Sequence, residues 1–179
     1  MLKSKHLIGL EHFPVSDLNK IIDTSFKFKD ILQTESRKAI LLKGKTIVNM
    51  FFENSTRTKI SFSLAEKRLG ADSINFSAST SSVKKGETLK DTVQNIESMK
   101  IDGAVIRHGH PGSALKLTEY IDGAVINAGD GSHEHPTQAI LDMVTLKEKF
   151  GKIKGLKVGI IGDISVSYTH LTLPTIRSV

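Results

Sequence analysis

Apolar residues follow two alternating patterns along this chain: short continuous runs, and longer stretches in which they recur at helical spacing. The continuous runs predict strands over residues 46–52, 72–76, 103–107, 123–127 and 156–161. The helical spacing predicts helices over residues 17–32, 56–69, 88–99, 111–120 and 136–150. Because strands alternate with helices and most are apolar throughout, we expect an α/β fold in which helices cover both faces of a parallel sheet.

Punctuating residues support this division of the chain. Gly70 directly follows the predicted helix 56–69 and is expected to cap it, because glycine readily adopts the left-handed conformation needed there. Pro136 suits the first turn of helix 136–150, where its missing N–H is no loss. The polar stretch 77–86 predicts a loop between a strand and the next helix.

Length and composition indicate a soluble globular protein. The chain has 179 residues, which suits one domain or one domain and part of another. Its 39% apolar and 25% charged residues are in the globular range. It has neither an apolar run long enough to span a membrane nor an apolar signal core, so we expect a cytoplasmic location and no membrane partner. The absence of Cys excludes a disulfide scaffold, a thiol nucleophile and a thiolate metal site.

The net charge of +6 raises the question of a nucleic-acid partner. The Lys and Arg residues are dispersed, and only 6% of residues are aromatic, so a stacking surface for bases would be poorly supplied. We therefore expect no nucleic-acid binding. The positive excess also suits a pocket that attracts anionic metabolites.

Residues 55–58 (Ser-Thr-Arg-Thr) are the strongest candidate site, because they join the end of a predicted strand to the start of a predicted helix. Backbone N–H groups at a helix start are unpaired, and the helix dipole favours an anion there. Three hydroxyls add further hydrogen-bond donors, and Arg57 adds a charged fork. The segment predicts a site for a small phosphorylated substrate.

Other polar segments also follow predicted strands, namely residues 81–85, 107–108 and 127–138. In parallel sheets, ligands gather at the carboxyl ends of the strands. We therefore expect four separate segments to supply Arg, Lys, His, Ser, Thr and Gln to one edge of the sheet. That convergence is stronger evidence for a site than any single motif.

Three of these segments resemble one known family. Residues 51–58 resemble the phosphate-binding signature of the carbamoyltransferases, and residues 127–138 resemble their His-Pro-x-Gln segment. Residues 81–88, with Asp91-Thr92, resemble a mobile loop of the aspartate carbamoyltransferases and favour them over the ornithine type. The resemblance covers about residues 5–164, with the motifs in family order.

The resemblance implies the amino-terminal, carbamoyl phosphate-binding fold of that family, transfer of a carbamoyl group to L-aspartate in pyrimidine biosynthesis, and a homotrimer with shared sites. It implies no cofactor and no metal, and it allows a regulatory chain as a partner. Residues expected to bind substrate are Ser55, Thr56, Arg57, Thr58, Ser81, Lys85, Arg107, His135 and Gln138. Those expected to act in catalysis are Arg57, Thr58, Lys85, Arg107 and His135.

Each implied role suits the chemistry of its side chain. Residues 55–58 would hold the phosphate of carbamoyl phosphate, and Ser81 and Lys85 would reach it in an adjacent subunit. Arg107 would contact the phosphate and the carbonyl oxygen. His135, together with Thr58, would bind that oxygen, where negative charge develops when the amine of aspartate attacks. Positioning supplies much of the acceleration, and no protein nucleophile is needed.

The amide of the carbamoyl group is assigned to Gln138 by the same resemblance. Simpler interpretations of the other segments stay open. The Ser-Thr pair at a helix start is often only a cap, Lys84-Lys85 is typical of a solvated loop, and Arg107 could form a surface ion pair. His135 could be a capping residue, or it could support other site residues without contacting a ligand.

Three alternatives for function also remain, and the first is a carbamoyltransferase of the ornithine type. The His-x-His pairs at residues 108–110 and 133–135 could bind Zn²⁺, which would suit a metal-dependent hydrolase. That hypothesis leaves residues 55–58 without a role. The chain could also be a non-catalytic module that binds phosphate or assembles with other chains.

The chain departs from the family pattern at Lys59, where an Arg is frequent, and from residue 165 onward, where no helical period is present. We expect residues 1–150 to form the carbamoyl phosphate-binding domain, residues 151–164 to begin a truncated aspartate-binding domain, and residues 165–179 to be a non-native tail. On this interpretation the chain recognises carbamoyl phosphate weakly and transfers the carbamoyl group poorly or not at all. Apolar surface near strand 156–161 would then favour aggregation.

Overall fold

The structure is a computed structural model that describes residues 2–53, 55–77 and 88–159. Its helices are α1 (Val15–Leu32), α2 (Thr56–Leu69), α3 (Leu89–Glu97), α4 (Ser113–Leu117) and α5 (Pro136–Phe150). Its strands are β1 (Thr46–Phe51), β2 (Asp72–Ser77), β3 (Gly103–His108) and β4 (Ala124–Asp130). Most of the predicted loop 77–86 and the tail from residue 165 lie outside the described residues.

The four strands form one parallel sheet in the order β2-β1-β3-β4. Met50 in β1 is in register with Phe76 in β2 and with Ile106 in β3. Ile106 is in turn in register with Asn127 in β4. Because all strands run the same way, their carboxyl ends meet at one edge, as the sequence predicted.

Alternate residues of each strand face opposite sides of the sheet, and helices cover both sides. On one side Met50 and Ile106 pack in a cluster with Val93 of α3 and Leu117 of α4. On the other side Phe51, Val105 and Ala128 pack with Phe62 of α2. Helices α1 and α5 share a third cluster, built from Leu18, Ile22, Ile140 and Met143. The α/β prediction is confirmed.

Helix α2 is tied to the sheet by a buried polar cluster. Asn49 of β1 is fully buried, and its Nδ2 donates to Glu66 Oε2 of α2 at 2.8 Å. Ser73 of β2 also donates to that carboxylate oxygen. Burial raises the pKa of Glu66, against the hydrogen bonds from Ser73 and Asn49 that lower it. The cluster fixes how α2 lies on the strands and therefore where its first turn is held.

Most element boundaries fall within three residues of the sequence prediction. Strand β4 continues three residues further than predicted, to Asp130, and two other corrections concern α4 and residues 156–159. Gly70 ends α2 with a φ of 82°, the left-handed cap that was predicted. Helix α4 is shorter than predicted, because Gly112 precedes it at a φ of 78° and residues 118–120 continue only as turns. Residues 156–159 form no strand, although an apolar run predicted one over 156–161. An apolar run becomes a strand only where another strand accepts its hydrogen bonds, and none of the described strands does so here.

The predicted domain boundaries at residues 150 and 164 stay predictions. In the described part of the chain, no helix combines the length and the apolar character that crossing a bilayer requires.

Candidate functional site at the carboxyl edge of the sheet

The first turn of α2 lacks a side-chain cap. Ser55 occupies the N-cap position, but its hydroxyl donates to Thr58 Oγ1 at 2.8 Å, and no side chain caps the helix. The first turn also contains no acidic residue. Helix α3 differs: Thr88 and Asp91 form a complete capping box at its start. The sequence-based alternative that Ser55 is only a cap is therefore wrong, and the first N–H groups of α2 are placed to meet an anion.

Arg107 lies near the end of β3 and is almost fully buried, with 11% of its side chain exposed. Its Nη1 donates to the Ala128 carbonyl oxygen at 2.9 Å and lies 3.3 Å from His135 Nε2. Its Nε is 3.5 Å from Glu53 Oε2. Arg107 is thus no surface ion pair, because its guanidinium is held among groups that follow β1, end β4 and begin α5.

His135 occupies the N-cap position of α5 and makes no side-chain cap there, which removes the capping alternative. Burial, and secondarily the charge of Arg107, lower its pKa to about 4. The imidazole is therefore neutral at neutral pH. Because a guanidinium can only donate, His135 Nε2 accepts from Arg107 and the proton sits on Nδ1, which lies 3.3 Å from Thr137 Oγ1.

A hydrogen-bond network shapes the loop between β4 and α5. Asn127 is fully buried; its Nδ2 donates to Asp130 Oδ1 at 3.1 Å, and its Oδ1 accepts from the Gly129 N–H at 2.8 Å. Asp130 Oδ1 also accepts from the Glu134 N–H at 2.9 Å. These bonds hold the backbone turn that delivers His135 to the site.

Gly129 is required inside that loop. Its φ is +115°, a conformation that side-chain-bearing residues rarely adopt. A Cβ at this position would lie 2.7 Å from Arg107 Nη1. The missing side chain is what lets the guanidinium pass against the loop.

A cleft of about 220 Å³ lies between α2 and α5. Helix α2 contributes Thr58, Ser61, Phe62 and Ala65, while the start of α5 contributes His135, Thr137, Gln138 and Leu141. Gln138 Nε2 donates to Asp142 Oδ1 at 3.1 Å. The cleft combines hydroxyl, imidazole and amide groups beside the uncapped start of α2, which suits a small polar anion.

The structure brings together much of the predicted site. Thr58, His135 and Gln138 line one cleft, and Arg107 contacts His135. Ser55 bonds to Thr58, while Thr56 and Arg57 are exposed at the start of α2. Ser81 and Lys85 lie outside the described residues.

The four histidines of the zinc hypothesis do not converge. The ring of His108 lies 5.0 Å from that of Phe52 and 5.0 Å from that of His110. His133 Nδ1 is 3.1 Å from Asp130 Oδ2, while His135 faces the Arg107 cation. Among the described residues, no three His, Asp or Glu side chains are grouped as a metal site requires, so this hypothesis has no structural support.

A sequence profile described as "Aspartate/ornithine carbamoyltransferase, carbamoyl-P binding domain" matches residues 5–148. The chain belongs to this family. That assignment confirms the resemblance found in residues 51–58 and 127–138.

The curated relatives that match the chain are aspartate carbamoyltransferase catalytic subunits. The aspartate carbamoyltransferase catalytic subunit of Christiangramia forsetii is 53% identical over 171 residues, which is 96% of this chain and 55% of the relative. That of Desulfotalea psychrophila is 52% identical over 168 residues, 94% of this chain and 53% of the relative. The chain thus spans about half the length of the curated relatives it matches.

Solved carbamoyltransferase structures share the fold. The catalytic subunit of M. jannaschii aspartate transcarbamoylase aligns with a TM-score of 0.78 and 41% identity, over 86% of this chain and 50% of that one. The Trypanosoma cruzi aspartate transcarbamoylase in complex with carbamoyl phosphate aligns with a TM-score of 0.84 and 33% identity, over 93% and 52%.

Sequence reasoning missed several residues that support this candidate site. Glu53, which faces Arg107, and Asn127, which organises the loop, both lie within motifs that were identified without receiving a role. Asp130 and Gly129 were missed in the same way. The available signal was the dense run of turn-forming residues directly after an apolar strand, which predicts a structured loop.

Proposed function

We propose that this domain binds carbamoyl phosphate at the carboxyl edge of its sheet. The phosphate lies at the start of α2, on residues 55–58. The carbonyl oxygen meets Arg107, His135 and Thr58, and the carbamoyl amide meets Gln138. The observation that carries the proposal is the contact of Arg107 with His135. His135 lines the cleft between α2 and α5, and this cleft lies beside the uncapped start of α2.

The geometry suits acyl transfer to an amine. As the amine attacks the carbamoyl carbon, negative charge grows on the carbonyl oxygen and then on the leaving phosphate. Arg107 is already desolvated and held in place, so it stabilises that charge without reorganising. The neutral imidazole of His135 adds a hydrogen-bonding group without a second positive charge. The departing phosphate takes up the proton of the amine.

L-aspartate is the proposed acceptor, because the relatives that match are aspartate carbamoyltransferase catalytic subunits. Those relatives are about twice the length matched here, so the domain supplies the carbamoyl phosphate side of the reaction in this proposal. The product is N-carbamoyl-L-aspartate, and the reaction is a step of pyrimidine biosynthesis.

A homotrimer is the proposed assembly, with Ser81 and Lys85 reaching the phosphate bound by a neighbouring copy. The outer face of α2 supports it: Ile60 and Leu64 are 58% and 43% exposed, four residues apart on the helix that carries the site. Such apolar exposure is typical of a contact surface. A regulatory chain and a cytoplasmic location stay predictions.

Calorimetric titration tests the binding proposal. We expect saturable heat when carbamoyl phosphate is titrated into the chain, and affinity at least about tenfold weaker for Arg57→Ala, since a charged hydrogen bond contributes about 1.5–3 kcal/mol. Lys67→Ala removes the same charge from the last turn of α2 and should bind normally. A folded wild-type chain that gives no heat, or an Arg57→Ala variant that binds as well as wild type, would overturn the proposal.

A further inference from the structure

We propose that Asp142 is a positioning residue that sets the direction of the Gln138 side-chain amide and so makes the site prefer a carbamoyl group to an acyl group of the same shape. The inference rests on the proposed function, since it concerns the same cleft. It adds a residue to which neither the sequence motifs nor the family resemblance gave a role.

The two side chains lie one turn apart on α5 and are both half-buried. Gln138 Nε2 donates to Asp142 Oδ1 at 3.1 Å. Gln138 also lines the cleft together with Thr58 and His135. The amide therefore has one neighbour on its own helix and faces the ligand space between α2 and α5.

An ionised carboxylate offers only acceptors, whereas a primary amide offers a donor end and an acceptor end. Asp142 can therefore bond only the NH₂ end of Gln138. The acceptor Oε1 is left for the cleft. Partial burial raises the pKa of Asp142, and the hydrogen bond from Gln138 offsets part of that rise, because it stabilises the ionised form that this orientation needs.

The direction of the amide decides which ligand is recognised. Carbamoyl phosphate and acetyl phosphate share a phosphate and a carbonyl, but the first has an NH₂ group where the second has a methyl group. An Oε1 facing the ligand accepts from the NH₂ group and gains nothing from the methyl group. A site built to hydrogen-bond a ligand group discriminates strongly against an analogue that lacks it.

Hydrogen bonds between residues four apart on a helix also stabilise the helix itself, by about 0.2–0.5 kcal/mol. A purely structural role of Asp142 would change stability without changing ligand preference. The test must therefore measure a ratio of affinities, because a change in general charge or in folding affects both phosphates alike.

The experiment is calorimetric titration of carbamoyl phosphate and of acetyl phosphate into the wild-type chain and two variants, with circular dichroism to check folding. Asp142→Lys presents only donors, so it should turn Oε1 away from the cleft. Asp142→Asn offers Gln138 both a donor and an acceptor, so it should allow both directions of the Gln138 amide. The control is Glu148→Lys, which makes the same charge change as Asp142→Lys on the same helix. Glu148 is exposed and pairs with Lys29 outside the cleft.

We expect the preference for carbamoyl over acetyl phosphate to fall about twofold in Asp142→Asn, because two amide directions then compete. It should fall about tenfold or more in Asp142→Lys, because a donor then faces the NH₂ group of the ligand. Glu148→Lys should keep the wild-type preference. In a Gln138→Ala background, Asp142→Asn should have no further effect on the ratio.

The failures are distinguishable. If the wild-type chain binds neither phosphate, the proposed function is overturned and this inference with it. If wild type prefers carbamoyl phosphate and folded Asp142→Lys keeps that preference, only the inference is overturned. If Asp142→Lys does not fold, the Asp142→Asn variant decides. The inference is overturned if Asp142→Asn changes the ratio of the two affinities equally in the wild-type and the Gln138→Ala backgrounds.

Discussion

Arg107 and His135 are 28 residues apart in the chain, and Arg107 Nη1 lies 3.3 Å from His135 Nε2. This contact is compatible with burial only if the imidazole is neutral, because two buried cations at that distance would repel strongly. The pKa of His135 is lowered to about 4, so the imidazole is neutral at neutral pH, as this contact requires. One pair of residues thus links the edge of the sheet to the start of α5 and sets the charge of the site.

Folding stability should fall as the pH is lowered from 6.5 towards 4. The unfolded chain protonates His135 near pH 6.5, whereas the folded chain does so only near pH 4, so the unfolded state binds more protons in this window. Urea unfolding at a series of pH values across this window measures the effect. His135→Asn should reduce the slope of the free energy of unfolding against pH. His6 and His108, whose pKa values burial also lowers, will keep part of it. Equal slopes for wild type and variant would contradict this prediction.

Gly129→Ala should damage both stability and binding. The substitution places a side chain at a φ of +115° and a Cβ 2.7 Å from Arg107 Nη1, so strain and displacement of the guanidinium combine. We expect a loss of about 1–3 kcal/mol in the free energy of unfolding and weaker binding of carbamoyl phosphate.

The matched control for Gly129 is Gly155→Ala. Gly155 also has a left-handed φ, of +80°, but nothing lies within 4 Å of the point that a Cβ would occupy, so only backbone strain is added there. It should cost about 1 kcal/mol in urea unfolding and leave ligand affinity unchanged. Equal binding by the two variants would show that the space beside Arg107 is not needed.

Asn49→Ala should destabilise the fold by about 3 kcal/mol, because it removes a buried donor from the Glu66 carboxylate. Adding Glu66→Leu should recover part of that loss, since the carboxylate that has lost one of its two donors, Asn49 and Ser73, is then gone. A double-mutant cycle in urea measures the coupling. Strictly additive losses would mean that the Asn49–Glu66 bond does not hold α2 on the sheet.

The two helix starts should respond differently to loss of their hydroxyl. Thr88→Ala removes a capping box and should cost about 1 kcal/mol in the free energy of unfolding. Ser55→Ala removes a hydroxyl that makes no cap, so we expect less than about 0.5 kcal/mol in stability, together with weaker carbamoyl phosphate binding. A larger stability loss for Ser55→Ala than for Thr88→Ala would contradict the assignment of an open helix start.

Local signals explain why so much of the architecture could be predicted. The spacing of apolar residues identified α2, and Gly70 marked its end, because both depend on neighbours within one or two turns. The same signals were misleading at residues 156–159, where an apolar run has no strand beside it among the described residues. Pairing of strands is a long-range event that periodicity alone does not encode.

By itself the sequence determined the alternation of strands and helices, the parallel sheet, and the edge at which Ser55, Arg107 and His135 would gather. Only the tertiary structure decided that β1 and β3 lie side by side, that Arg107 meets His135, and that Asn49 anchors Glu66. The reason is physical. Helix and strand patterns arise from short-range sterics and the burial of one face, whereas a pKa of about 4 for His135 depends on groups that the fold brings together from distant parts of the chain.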